Sequence, residues 1–186
     1  RQAINGRTIS DSQTIEFSLE GAELADPGAM TGQRFTTSIF SWQVDIAAGT
    51  TRWSNIPFGV QLLRTPRPSM VRPDDNRFEP EDWIGTWAMN HDGWRGQLTI
   101  GSVGAPRFGI RPVTAAYRDH GGIVRPAKGA LLGSMGHALH LNIAFSGSGS
   151  GSQRFLLYVH TFDTVRFSGT TTWAGRPFGV IGVRSS

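Results

Sequence analysis

The sequence predicts an all-β protein: an antiparallel up-and-down β-barrel with a related internal half-repeat. Three observations predict it. Short runs rich in β-branched and aromatic residues, punctuated by Gly, Pro and Asp-Gly, recur about every ten residues, the spacing of a sandwich or barrel. The stretch TTRWSNIPFGVQLLR at Thr50 to Arg64 returns as TTTWAGRPFGVIGVR at Thr170 to Arg184. Gly numbers 24, aromatics make up 10% and charged residues only 17% of the chain, and no window carries a helical period.

The repeat sets the organisation. At an offset of 120, Gln33-Arg34-Phe35 returns as Gln153-Arg154-Phe155. Gly49-Thr50-Thr51, Trp53, Pro57-Phe58-Gly59-Val60 and Arg64 likewise return as Gly169-Thr170-Thr171, Trp173, Pro177-Phe178-Gly179-Val180 and Arg184. Upstream, TIEFSL at Thr14 to Leu19 resembles HLNIAF at His140 to Phe145 in pattern. Residues 1–64 then form a β half-repeat, and residues 83–186 a full repeat. Between them residues 65–82, rich in Pro, Arg and Asp, read as a linker. The loop SGSGSGS at Ser146 to Ser152 is of low complexity, with the composition of a flexible tip or of a replaced loop.

Strands are expected near 4–9, 14–20, 34–44, 46–53 and 57–64 in the half-repeat. In the full repeat they are expected near 83–90, 94–103, 110–118, 122–132, 137–145, 154–162, 165–173 and 177–184. Eight strands are enough to close a small barrel and remove its edges. The first five cannot close alone; they pack on the full unit, or are completed by a second chain or by a missing N-terminal piece.

In WIGTWAMNHDGWRGQLTI the Asp92-Gly93 pair separates two alternating runs, the strongest short-range hairpin signal. Period two puts Trp83, Gly85, Trp87 and Met89 on one face and Thr86, Ala88 and Asn90 on the other. The Gly85-Thr86-Trp87 strand resembles the first strand of the calycin barrels, the lipocalin and avidin families, where Gly-x-Trp marks the closed end. The avidin strand has its Asn one residue earlier than Asn90. The resemblance implies a barrel and no particular ligand.

The densest polar cluster is Asn90, His91, Asp92 and Arg95 beside Trp94. Two readings fit it: hydrogen bonding to a polyol or carboxylate while Trp94 stacks on the ring, or turn geometry from Asn and Asp with His91 as an exposed loop residue. Trp53 with Asn55, and Trp173 with Arg176, form equivalent aromatic-polar platforms. These serve either as hairpin packing or as stacking surfaces for a sugar or flat ring. For an enzyme of barrel-lumen type, cyclase or isomerase, the acid-base candidates are His160, Asp163 and Tyr117. His160 and Asp163 align with Phe40 and Gln43, so a duplicated catalytic pair is not present.

Several classes are excluded or disfavoured. With no cysteine, disulfides, zinc thiolates and a thiol nucleophile are ruled out. His137 and His140, three apart on a strand, do not chelate one metal. No cofactor motif occurs. The net charge of +4 and pI of about 10.6 come from arginine, Lys128 being the single lysine. Apart from Arg64, Arg67, Arg72 and Arg77 the cations are scattered, which argues against nucleic acid. No apolar stretch reaches a membrane span. The chain starts at Arg1 without a signal peptide, as a processed or trimmed product would.

The expected function is non-catalytic binding of carbohydrate or another small polar ring compound, outside the cytosol. A small-molecule or glycan ligand is the expected partner. The barrel-lumen enzyme is one alternative. An assembly module, homo-oligomeric or completed by partner strands, is the other.

Overall fold

A computed structural model describes residues 3–8, 13–20, 33–53, 56–64, 78–133, 136–145, 151–160 and 163–185, with backbone alone at 3–8, 19, 20 and 53. Most of the linker and of the SGSGSGS loop lie outside these residues.

Among the described residues thirteen strands follow one another: β1 Ala3–Thr8, β2 Thr14–Glu20, β3 Gln33–Ile39, β4 Ile46–Trp53, β5 Ile56–Leu63, β6 Gly85–His91, β7 Trp94–Val103, β8 Ile110–Asp119, β9 Val124–Leu132, β10 Ala138–Ala144, β11 Ser152–Val159, β12 Arg166–Trp173 and β13 Arg176–Arg184. Strands β1 to β5 form an open antiparallel sheet in chain order. Strands β6 to β13 form a closed barrel, β13 returning to pair with β6 through Val180–His91 to Arg184–Trp87. Every barrel neighbour is antiparallel, so the meander is up-and-down, as the strand spacing predicts.

Alternation fills the barrel. Leu98 and Ile100 of β7, Val113 and Tyr117 of β8, Leu139, Leu141 and Ile143 of β10, and Phe155, Leu157 and Val159 of β11 all point inward and are buried. One end is plugged. Pro80 to Trp83 form a 3₁₀ turn, so Trp83 does not begin a strand and the last linker residues are ordered into the turn, with the Glu79 N–H donating to the Asp82 carboxylate at 2.8 Å. The turn drops Trp83 into the barrel end, where its indole N–H donates to the Gly136 carbonyl at 2.8 Å. Trp87 donates to the Trp83 carbonyl at 2.9 Å, and both rings meet Phe167. The Arg184 guanidinium covers Trp87 at 5.3 Å and donates to the Asp82 and Ile84 carbonyls. The start of β6 at Gly85 therefore stands at the plugged end.

The sheet repeats the pairing of the barrel's last strands. Thr51–Phe58 and Trp53–Ile56 in β4–β5 become Thr171–Phe178 and Trp173–Arg176 in β12–β13. Phe35–Thr51 becomes Phe155–Thr171. Further out the alignment shifts. Thr14 pairs with Ser38 as Ala138 pairs with Tyr158, so TIEFSL corresponds to Ala138 to Ile143 and not to HLNIAF. The cause is the unequal loop before the Gln-Arg-Phe.

One face of the sheet lies on the outside of the barrel, β4 and β5 against β12, β5 against β11, and β3 and β4 against β13. Two glycines permit the approach. A Cβ at Gly59 would strike the Tyr158 carbonyl and the His160 ring, and a Cβ at Gly179 would strike the Ser38 carbonyl and the Phe40 ring. The sets exchange at the offset of 120: Gly59 becomes Gly179, while Tyr158 and His160 become Ser38 and Phe40. The two units thus meet about a pseudo-two-fold axis, as in an isologous interface. Phe40, Ile46 and Ala48 pack with Ile181 there.

The expected strand at 34–44 ends at Ile39. Ser41, Trp42 and Gln43 keep the alternation, but the chain turns so that the Phe40 N–H reaches Ile46 and the Ile46 N–H reaches Gln43, each at 3.0 Å. Burial of Phe40 against the barrel outweighs strand continuation.

A cleft at the seam of sheet and barrel

The β6–β7 hairpin turns at Asp92 and Gly93, with φ of 54° and 94°; positive φ at both central residues is the geometry that Asp-Gly favours. The turn is tied to the sheet. The Ser41 N–H donates to the Asp92 carboxylate, and the Asn90 amide bridges, accepting from Gly93 N–H at 2.9 Å and donating to Gln43 at 3.3 Å. A Cβ at Gly93 would lie 2.8 Å from Trp42 Cβ, so the β3–β4 loop seats directly on the turn.

This seating brings two indoles to one place. Trp42, 78% exposed, and Trp94, 56% exposed, line an open cleft of about 430 Å³ with Gly93, Arg95 and His120. The His120 ring lies 5.4 Å from the Trp94 ring at 56°. One wall comes from the sheet and the other from the barrel.

The sequence cluster divides between different duties. Trp94 and Arg95 are exposed in the cleft. Asn90 and Asp92 are spent on fastening the sheet. His91 departs from the exposed loop position: β6 runs on to residue 91, so the alternation of Trp87 and Met89 carries His91 inward. Its Nε2 lies 3.0 Å from the Tyr117 hydroxyl, and its ring packs on Phe155 at 5.3 Å. Burial pushes His91 down to about 4. It also pushes Tyr117 up to about 12, with the Asp119 charge adding to the rise. At neutral pH both are uncharged.

Trp173 and Arg176 are exposed on the β12–β13 turn as a cross-strand pair. They do not line the cleft. Of their counterparts, Asn55 and the Trp53 side chain lie outside the described residues.

The proposed acid-base residues do not share a site. Tyr117 is inside the barrel with His91. His160 lies on the outer face, its Nε2 2.7 Å from Ser168 Oγ, and burial pushes it down to about 4 against the upward pull of Asp163. Asp163 itself accepts from Arg166 at 2.6 Å. Inside the barrel the described core side chains pack against one another.

His137 packs between Phe58 and Phe78, at 5.0 and 5.7 Å. Among the described residues no group of three or more His, Asp or Glu could hold a metal, and no helix is long and apolar enough to cross a membrane.

Trp42 and His120 were not singled out by sequence. Trp42 sits in a run that reads as strand, and His120 in a turn; only the packing of sheet on barrel makes them neighbours.

No protein-family profile and no curated protein matches the chain. Among solved structures it is similar to a redesigned β-barrel, mFAP1, solved bound to DFHBI, with 16% identity and a TM-score of 0.40, over 59% of this chain and 100% of that one.

Proposed function

We propose that the chain is a non-catalytic binding protein whose ligand is a small polar ring compound, carbohydrate foremost, held between Trp42 and Trp94. One observation carries the reading: two exposed indoles from separate units face a single open cleft. Indole faces stack on sugar and aromatic rings, and a few polar groups then fix orientation. Arg95 and His120 supply those groups. In this reading the two units are copies of one calycin-like barrel repeat, the second complete, and the protein works outside the cytosol.

The test is binding to a glycan array and to a panel of ring compounds, followed by calorimetry on Trp42→Ala and Trp94→Ala. Each variant should lose about tenfold or more in affinity, the equivalent of roughly 1.4 kcal/mol of stacking. Trp173→Ala, outside the cleft, should bind as the unaltered chain does. Full affinity in both cleft variants overturns the reading.

A second reading, an assembly module completed by partner strands, is favoured by the open sheet. Strands β1 and β5 each have one described neighbour, whereas β9 and β13 of the barrel have two. Unpaired edges accept further strands. A mass in solution that stays monomeric at all concentrations, with no strand donor captured, removes it.

A further inference from the structure

We infer that the ring ligand of the Trp42–Trp94 cleft carries an anionic group, a carboxylate or sulfate, that is received by Arg95 beside His120. The inference rests on the binding reading above and deepens it to a ligand class.

Arg95 is exposed in the cleft wall and, among the described residues, has no acidic partner, the ion pairs there being Arg111–Glu81, Arg125–Asp119 and Arg166–Asp163. The nearby carboxylates are engaged elsewhere. Asp92 is buried and takes the Ser41 N–H. Asp119 takes Arg125 at 3.1 Å and the Ile123 N–H at 2.9 Å. Across the hairpin from Arg95 stands Asn90, whose amide is already committed to Gly93 and Gln43. The guanidinium therefore lines the cleft with its donors unclaimed among the described residues.

His120 adds a second donor on the same side. The β7–β8 ladder ends at Gly96 and Asp119, and His120 follows in the turn, lining the same cleft as Arg95 with its ring leaning on Trp94. The walls divide by chemistry, with indole faces for the ring and a planar fork for a charged oxygen pair. A guanidinium binds carboxylate or sulfate through two parallel hydrogen bonds, stronger than those to a neutral hydroxyl. A neutral ring would fill the aromatic part and leave the fork in water.

Both an acidic sugar and an aromatic carboxylate fit this chemistry, and the experiment separates them. Calorimetry on the full chain uses a galacturonic acid oligosaccharide, its neutral galactose counterpart and indole-3-acetate, at low and at high salt. At least one acidic probe should bind about tenfold tighter than the neutral sugar, and its affinity alone should fall with salt. Arg95→Gln should erase that advantage, while Trp42→Ala should weaken whichever probes bind. Preference for the oligouronate names a glycan source, and preference for indole-3-acetate an aromatic one. Equal binding of neutral and acidic sugar, dependent on Trp42, overturns the anion and leaves the binding reading standing. So does an acidic preference that survives Arg95→Gln. Binding of no probe to the unaltered chain overturns both.

Discussion

Phe40, Ile46 and Ala48 of the sheet and His160, Arg166 and Ser168 of the barrel occupy corresponding places, yet one trio is apolar and the other polar. Their backbones are bonded alike. The Phe40 N–H meets the Ile46 carbonyl at 3.0 Å and the His160 N–H meets Arg166 at 3.1 Å, while Ile46 to Gln43 and Arg166 to Asp163 are both 3.0 Å. The side chains then solve burial in two ways. The sheet trio buries carbon against Ile181, whereas the barrel trio is held by hydrogen bonds, His160 to Ser168 and Arg166 to Asp163. Backbone register is therefore compatible with either chemistry. What one side of a pseudo-two-fold contact gains from the hydrophobic effect, the other obtains through hydrogen bonds and an ion pair.

Removing each half should cost differently, and Phe40→Ala is the sharpest way to show it. Phe40 is fully buried, and truncating a buried Phe costs about 3–5 kcal/mol because a cavity remains. His160→Ala loses one hydrogen bond and strands the Ser168 hydroxyl, about 1–3 kcal/mol. Urea unfolding, followed with limited proteolysis to report release of the sheet, measures both. Equal losses would mean that the apolar half does not dominate the contact.

Acid should attack the polar half and the barrel interior but spare the apolar half. Burial lowers His160 and His91 to about 4, whereas an unfolded imidazole takes its proton near pH 6.5. Between these values the unfolded chain binds protons that the folded chain does not, so stability is present above the window and falls as pH drops through it. Each group contributes roughly 3 kcal/mol over the full window. His160→Gln should remove one proton's worth of this slope while the His91 share persists. An unchanged slope between pH 7 and about 4 would refute the assignment to His160.

The same contrast explains what could be read from sequence. Strand after strand was legible because Gly, Pro and Asp-Gly mark the turns and period two marks the faces, and closure followed from having eight strands in one unit. Phe40 to Asp45 was not, since Ser41, Trp42 and Gln43 alternate like a strand and only contact with the barrel bends them away. Trp83 reads as the first strand residue because it has the right parity, and Pro80 to Asp82 as linker, although all four form the 3₁₀ turn from which Trp83 enters the barrel. In the candidate site Trp94 and Arg95 stand beside a turn that sequence marks. A β6 that stops at Asn90 leaves His91 in the turn, whereas one more strand residue carries it to the inner face. Trp42 and His120 come together only through tertiary packing, and no local pattern encodes that.

The finest test compares a polar device that both units share. In the barrel, Thr171 Oγ1 donates to the Arg154 carbonyl at 2.7 Å and accepts from Gln153 at 2.8 Å. In the sheet, Thr51 Oγ1 donates to Arg34 at 2.8 Å and accepts from Gln33 at 2.9 Å. These bonds give the repeated Gln and Thr a structural reason. Gln153 is buried but Gln33 only half-buried, so water can replace the lost partner in the sheet. Thr171→Val should cost about 1–3 kcal/mol, the penalty of an orphaned buried amide, and Thr51→Val about 0.5–1 kcal/mol. Thermal unfolding of the two variants ranks them. If Thr51→Val proves the costlier, barrel closure does not seal this bond from solvent, and the shared residues must be explained by the seam between the units instead.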